Sequence, residues 1–149
     1  MNIENKILEY LPQQTPFRFV DEIVEVSEEH IKGCYTFKKT EFFYLGHFPE
    51  FPITPGVILT ECMAQIALVC HGIYFLLKHE NEDTTQYKQF FTSNEINFLK
   101  PVYPGETVYV SGKKQYFRHG KFKSSAEMKN QTGELVCKGT LSGMVFKNE

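Results

Sequence analysis

His47 and Glu61 are the residues whose types best suit acid–base chemistry, and they lie fourteen positions apart within residues 46–65. A neutral imidazole is available at pH 7 and can accept a proton. A carboxyl group in a buried setting has a raised pKa and can donate one. Backbone N–H groups at the start of a helix can hold an oxygen that gains negative charge. The stretch therefore offers a base, an acid and an oxyanion-binding group, provided that the fold positions them.

The loop that carries His47 is predicted to be stiff, because its three prolines fix their own φ angles and hold the preceding residues extended. We predict that a helix begins near Thr54, with Thr54 as the N-cap and Pro55 at the first helical position. The N–H groups of Gly56 and Val57 then have no partner inside the helix. Gly56 also has no side chain that would keep a ligand away from them.

The helix that follows is predicted to be buried. Between residues 57 and 77 only Thr60, Glu61, Gln65 and His71 are clearly polar, and a helix that is apolar nearly all round belongs in a core. An ionised carboxylate is costly there. Glu61 therefore needs a partner, a raised pKa or a pocket that contains solvent.

Less specific interpretations of the same residues stand beside this one. A lone histidine in a loop is more often a surface or hydrogen-bonding residue than a catalyst, and a lone glutamate in an apolar helix often lies near the rim or pairs with a lysine. Prolines at a spacing of three also occur in ligands of aromatic-groove domains. The dense apolar context of residues 46–65 argues against such an exposed motif.

Composition favours one globular domain spanning residues 1–149. Apolar residues make up 42% and charged residues 23% of the 149-residue chain, which are ordinary values for a globular protein. The net charge of −2 does not suit nucleic-acid binding. Fourteen Phe and eight Tyr residues suit a core that accommodates an apolar ligand, although Phe is also a common core residue.

The cysteines and the first residues indicate a cytoplasmic protein without a metal site. The four cysteines form no Cys-x-x-Cys pair and have no zinc-site spacing. Cys62 and Cys70 fall in the apolar helix and are predicted to be buried thiols, which fits a reducing compartment. The polar N-terminal residues do not resemble a signal peptide. Glu61, Gln65 and His71 interrupt the apolar helix, so we predict no membrane span.

Periodicity predicts an α+β fold. Apolar residues at helical spacing predict a short N-terminal helix that ends at Pro12, and the central helix is predicted to end near His79. Alternating or β-branched segments predict six strands, with a tight turn at His119-Gly120. These strands cover residues 19–26, 30–38, 90–98, 106–118, 121–130 and 134–146. Short turns between the late strands favour an antiparallel sheet packed on the helix.

Several motifs together resemble the 3-hydroxyacyl-acyl-carrier-protein dehydratases, the FabZ-like branch of the hotdog fold. The sequence contains the family's motifs in order: Gly46-His47-Phe48-Pro49, Pro55-Gly56-Val57, Glu61-Cys62-Met63-Ala64-Gln65, and flanking pieces at 11–21 and 98–106. The resemblance implies a single hotdog domain, in which a curved antiparallel sheet of about six strands wraps around one long central helix.

The resemblance also implies an activity and the residues that perform it. The reaction is removal of water from a (3R)-3-hydroxyacyl thioester, which gives the trans-2-enoyl thioester. His47 takes the α-proton, Glu61 orients or protonates the leaving hydroxyl, and the N–H of Gly56, with that of Val57, holds the thioester carbonyl. Neither a metal ion nor an organic cofactor is implied.

Assembly and substrate carrier follow from the resemblance as well. The partner is an acyl carrier protein bearing a phosphopantetheine-linked acyl chain. Each site takes His47 from one chain of a homodimer and Glu61 from the other, with a trimer of dimers as a larger assembly. Phe48 and Val57 are candidate residues of the acyl tunnel, with core packing as the equal alternative. Gln65 is a candidate for hydrogen bonding near the site.

Departures from the family pattern leave alternatives open. Gln13-Gln14 stands where the family usually has His-Arg, and Glu50-Phe51 replaces the usual loop residues. These changes raise the question of a specialised lipid or polyene pathway. The competing functions are an acyl thioesterase of the same fold and a non-catalytic acyl-carrier-binding subunit. Glu rather than Asp at position 61 leans towards dehydration without isomerisation. Acyl chain length and the choice between carrier protein and coenzyme A stay open.

Overall fold

The computed structural model describes residues 1–80 and 84–147 and has the predicted α+β architecture. Helix α1 spans Ile3–Tyr10, and the long central helix runs through α-helical and π-helical segments at Gly56–Ala64, Gln65–Cys70, His71–Phe75 and Leu76–Glu80. Short 3₁₀ helices lie at Phe42–Leu45 and Thr84–Gln86. The strands are β1 (Glu22–Val26), β2 (His30–Thr36), β3 (Tyr87–Phe98), β4 (Thr107–Arg118), β5 (Lys121–Lys129) and β6 (Leu135–Lys147).

The six strands form one antiparallel sheet in the order β1-β2-β4-β5-β6-β3. Strands β1 and β3 are therefore its edges. The hairpin between β4 and β5 turns at His119 and Gly120, which both have positive φ angles of 52° and 77°. Positive φ at both central residues is the geometry that a tight two-residue hairpin requires, and the turn prediction is confirmed.

The central helix lies against the inner face of the sheet, whose buried residues alternate along β2, β4 and β5. At Gly112 the sheet approaches the helix so closely that a Cβ atom would lie 2.7 Å from the Cβ of Ala67. The largest side chains of this core include Phe19, Phe37 and Phe122, all almost fully buried. The predicted buried helix is confirmed, and with it the burial of Cys62 and Cys70.

By length and composition, the segment Gly56–His79 would suffice to cross a membrane, with a mean hydropathy of 1.6 over its most apolar window. However, 72% of that window is buried inside the protein. The same apolar character is what a helix needs when a sheet wraps around it. We therefore describe it as the core helix of the domain.

Two local predictions were wrong. Thr54 is not the N-cap: its hydroxyl lies 2.6 Å from that of Tyr44, and the helix begins at Gly56 after Pro55 with no side-chain cap. The first strand begins at Glu22 rather than at Phe19, because the Phe19 N–H donates to the Gln65 side chain at 2.7 Å instead of to a neighbouring strand. In both cases the polar group that local sequence assigned to a helix cap or a strand forms a hydrogen bond with a side chain elsewhere in the fold.

Candidate active site

The imidazole of His47 is oriented by the backbone of its own loop. The 3₁₀ helix at Phe42–Leu45 leads into this loop, and the His47 N–H donates to the carbonyl of Phe43 at 3.0 Å. Nδ1 of His47 lies 2.8 Å from the carbonyl oxygen of Ile53. Because a carbonyl oxygen can only accept a hydrogen bond, Nδ1 carries the proton. In the neutral ring, Nε2 is then unprotonated and able to act as a base.

Phe48 packs against that imidazole, with ring centroids 4.2 Å apart and the planes nearly parallel. A second backbone bond, from the Ile53 N–H to the His47 carbonyl at 2.9 Å, closes the loop. The His47 ring is thus held by a hydrogen bond at one nitrogen and by an aromatic neighbour on one face. Fixing both the tautomer and the ring plane prepares Nε2 for proton transfer in one direction.

The start of the central helix presents free N–H groups beside this loop. The N–H groups of Ile58 and Leu59 both donate to the carbonyl of Pro55, at 2.9 and 3.1 Å. Gly56 and Val57 precede these first helical bonds, so their N–H groups have no acceptor within the helix. A Cβ atom at Gly56 would lie 3.3 Å from the ring of Phe98, so glycine leaves this approach open.

His47, Phe48 and Gly56 lie together around one cavity of about 400 Å³. The structure therefore places the predicted base beside the predicted carbonyl-binding position. Val57 is 77% exposed and Phe48 51% exposed, so neither serves as a core residue of the single chain. The remaining lining residues are Ile53, Thr54, Leu59, Phe98, Leu99, Lys100 and Pro101.

Glu61 lies on the central helix and is held by Gln65, one turn further on. Gln65 is completely buried. Its Nε2 donates to the Glu61 carboxyl and to the Phe17 carbonyl, both at 2.9 Å, and its Oε1 accepts from the Phe19 N–H. Burial raises the pKa of Glu61, and the hydrogen bond from Gln65 opposes part of that rise. The expected carboxyl of raised pKa, with an amide partner near the site, is present.

Glu61 does not share a cavity with His47 in the single chain. It lines a separate cavity of about 180 Å³. Phe90 and Phe91 of edge strand β3 line this cavity, whereas Phe98 at the other end of β3 lines the one that contains His47. Edge strand β3 therefore borders both cavities, one near each of its ends.

Sequence analysis missed the contribution of Gln13 and Gln89 to the Glu61 cavity. The sequence did show that Gln13 departs from the family's usual residue. However, the position of Gln13 beside Glu61 depends on the fold and could not be predicted from that departure. A larger concavity of about 580 Å³ elsewhere on the sheet contains neither His47 nor Glu61. Within residues 1–80 and 84–147, no group of three or more His, Cys, Asp or Glu side chains is placed to hold a metal ion.

Comparison with known families identifies the chain. A family model described as a FabA-like domain matches residues 11–138. The chain belongs to the FabA-like family. FabA-like relatives named "3-hydroxyacyl-[acyl-carrier-protein] dehydratase FabZ" cover nearly the whole chain. That of Caldicellulosiruptor bescii is 36% identical over 140 residues, covering 92% of this chain and 94% of the relative. That of Ehrlichia canis is 30% identical over 148 residues, covering 97% and 95%.

Solved structures agree with the FabA-like fold. The dehydratase heterocomplex ApeI:P from Xenorhabdus doucetiae superimposes with a TM-score of 0.75 at 15% identity, covering 93% of this chain and 89% of that one. A hypothetical thioesterase with coenzyme A from Streptococcus pneumoniae gives 0.60 at 17% identity, covering 86% and 87%. At these identities the neighbours establish the hotdog fold alone. The predicted fold class and the FabZ-like resemblance are confirmed.

Proposed function

We propose that this FabA-like chain removes water from a (3R)-3-hydroxyacyl thioester and releases the trans-2-enoyl thioester in fatty-acid or related lipid biosynthesis. The observation that carries the proposal is the hydrogen bond from Nδ1 of His47 to the Ile53 carbonyl. It leaves Nε2 as the basic nitrogen in a cavity that also contains the start of a helix. The FabZ names of the relatives agree with this chemistry.

The reaction begins when the thioester carbonyl accepts a hydrogen bond from the N–H of Gly56, assisted by Val57. Polarising the carbonyl makes the α-proton more acidic, and Nε2 of His47 removes it. The electron pair passes through the enolate oxygen and returns to form the carbon–carbon double bond as the C3–oxygen bond breaks. Glu61 gives its proton to the departing hydroxyl, which leaves as water.

The environment of Glu61 suits the acid step, because a carboxyl of raised pKa keeps a larger protonated fraction near neutral pH. Gln65 acts as a positioning residue: its amide fixes the carboxyl while its other bonds tie it to the backbone at Phe17 and Phe19. Phe48 supports the imidazole and, with Val57, is exposed where an acyl-pantetheine can contact it.

A homodimer brings the two halves of this site together. Strand β3 is an edge strand of twelve residues, and Phe90, Phe91 and Phe98 are partly exposed on it. An exposed apolar edge strand pairs readily with a second strand. Two copies that pair antiparallel along β3 place the Phe98 end of one beside the Phe90 end of the other. The His47 cavity of one protomer then meets the Glu61 cavity of its partner.

An acyl carrier protein delivers the substrate in this proposal, as the names of the relatives say of theirs. The dimer is the minimal active unit, and a trimer of dimers is compatible with it because pairing along β3 leaves the opposite edge strand β1 unused. The free cysteines, three of them buried, fit the reducing conditions of the cytoplasm, where we place the enzyme.

The activity is tested with one (3R)-3-hydroxyacyl thioester and two detection channels. Gain of enoyl absorbance indicates dehydration, whereas release of free thiol indicates the thioesterase alternative. His47→Ala should lower kcat/KM for dehydration by about 10²–10⁴, the usual contribution of a general base. Its thermal unfolding should be close to that of the parent because the side chain lies on a loop. A folded variant with parental kcat/KM would refute the assignment of His47.

A further inference from the structure

Gln13 and Gln89 form the wall between two cavities. Both side chains line the cavity of about 180 Å³ that contains Glu61. Both also line a second cavity of about 500 Å³ on the side of Tyr10 and Leu76. Among the described residues, these two glutamines are the only ones that border both spaces. These two residues therefore determine where the Glu61 cavity ends.

Gln89 is held in this wall by the central helix. Its Nε2 donates to the carbonyl of Val69 at 3.2 Å. Gly72 leaves the space that the amide occupies, since a Cβ atom there would lie 2.6 Å from Oε1 of Gln89. The side chain is thus anchored by one hydrogen bond and seated over a residue that has no side chain of its own.

Gln13 completes the wall from the segment that follows α1. Its Oε1 is buried and has no hydrogen-bond partner among residues 1–80 and 84–147. Because this oxygen has almost no accessible surface, Gln13 borders the two cavities with its other atoms. The neighbouring Gln14 is exposed and donates to the Leu11 carbonyl at 3.0 Å, so it takes no part in the wall.

The volume of the Glu61 cavity sets the length of acyl chain that fits. A dry cavity of about 150 Å³ accommodates benzene, so a space of about this size holds roughly six carbon atoms. The cavity beside Glu61 measures about 180 Å³. With Glu61 acting at the hydroxyl-bearing third carbon, about six further carbons fit before the chain reaches the amides, a total of roughly nine or ten.

We propose that Gln13 and Gln89 limit the substrate of this enzyme to short and medium acyl chains by closing the Glu61 cavity. This inference rests on the dehydratase function proposed above. Longer saturated chains must either displace the amides or leave their terminal methylene groups in water. Each methylene group that stays in water contributes none of the roughly fourfold gain in affinity that burying it would give.

The first test compares the parent enzyme on 3-hydroxyacyl thioesters of about eight and about fourteen carbons. We expect kcat/KM to be at least about tenfold higher for the shorter chain, since the surplus methylene groups of the longer one must displace the glutamines, and forcing extra methylene groups into a filled space costs about this much or more. Equal or greater kcat/KM for the longer chain would overturn the inference while leaving dehydration intact. Absence of dehydration at every chain length would overturn the proposed function, and this inference with it.

The second test opens the wall. Gln89→Ala and Gln13→Ala join the two cavities, and each should raise the long-to-short ratio of kcat/KM by at least about tenfold. Gly72→Ala retains both glutamines but pushes the Gln89 amide out of its seat, and alanine also suits the helix better than glycine. It should raise the ratio in the same direction and gives a readout if either glutamine variant fails to fold.

Gln14→Ala is the matched control, because it removes the same amide from the adjacent position outside the wall. It should leave the long-to-short ratio at the parental value. Variants that unfold at the parental temperature yet keep the parental ratio would refute a role of the glutamines in chain length. A rise in the ratio for Gln14→Ala equal to that for Gln13→Ala would do the same.

Discussion

Inactive variants of the two proposed catalytic residues should complement each other if each site is built from two chains. His47→Ala removes the base, and Glu61→Gln removes the acid but keeps an oxygen that can accept the hydrogen bond from Gln65. Because burial raises the pKa of Glu61, its ionised form is costly in the folded state, so Glu61→Gln should be at least as stable near neutral pH. Both chains are therefore expected to fold and to form dimers.

The activity expected after mixing the two variants follows from the separate cavities that His47 and Glu61 line. In a mixed dimer with two-fold symmetry, one site receives both defects and the other receives neither. Random pairing makes roughly half of the dimers mixed, and each has one intact site of two, so activity returns to about a quarter of the parental value. Two tags on co-expressed chains allow the mixed dimer to be purified, which should raise recovery to about half.

A second mixture provides the control. The parent chain paired with the double variant carrying both substitutions gives mixed dimers in which every shared site has one defect. Their activity should be close to zero, whereas sites built within one chain would leave the mixed dimer about half active. Purified heterodimer of the two single variants with no recovered activity would refute the shared site, provided that mass spectrometry shows both chains in it.

Two further predictions concern stability and assembly. Burial lowers the pKa of His71 from 6.5 to about 4, so the full stability is present above pH 6.5 and about 3 kcal/mol is lost as the pH falls to 4. Denaturant titrations at several pH values should show that the free energy of unfolding falls less steeply with decreasing pH in His71→Phe than in the parent. An unchanged pH dependence would contradict the assignment to His71. Phe90→Lys places a charge on edge strand β3 and should shift sedimentation towards monomer with loss of activity, whereas Val24→Lys on edge strand β1 should leave the dimer intact. Intact, fully active Phe90→Lys dimers would argue against pairing along β3.

Local sequence determined the elements of this protein and pointed to the residues that we propose carry its chemistry. Alternation and turn residues predicted that six strands exist and where the His119-Gly120 turn lies, because side-chain direction and φ preference are properties of a few neighbouring residues. They did not predict where the first strand begins. The apolar run that starts after Pro55 likewise predicted the central helix and the partial burial of Glu61. Motif spacing then connected His47 and Glu61 to the dehydratase family.

Tertiary structure decided which groups meet. Thr54 was available as an N-cap, but the fold places Tyr44 beside its hydroxyl, so the hydroxyl is used there. Gln65 reaches the backbone at Phe17 and Phe19, nearly fifty residues earlier in the chain. No local pattern specifies such pairs, since they exist only after the sheet has closed around the helix.

Tertiary structure also determines that His47 and Glu61 line separate cavities. It likewise determines the wall between the Glu61 cavity and the cavity on the side of Tyr10 and Leu76. Gln13 and Gln89 come from segments that are distant in sequence, and each is an ordinary polar residue by its local pattern. Their common position follows from how α1 and β3 pack on the central helix. The sequence therefore supplied the residues that we propose as reacting groups. The packing of distant segments set the boundaries of the space around them, because a cavity belongs to the assembled fold and not to any one segment.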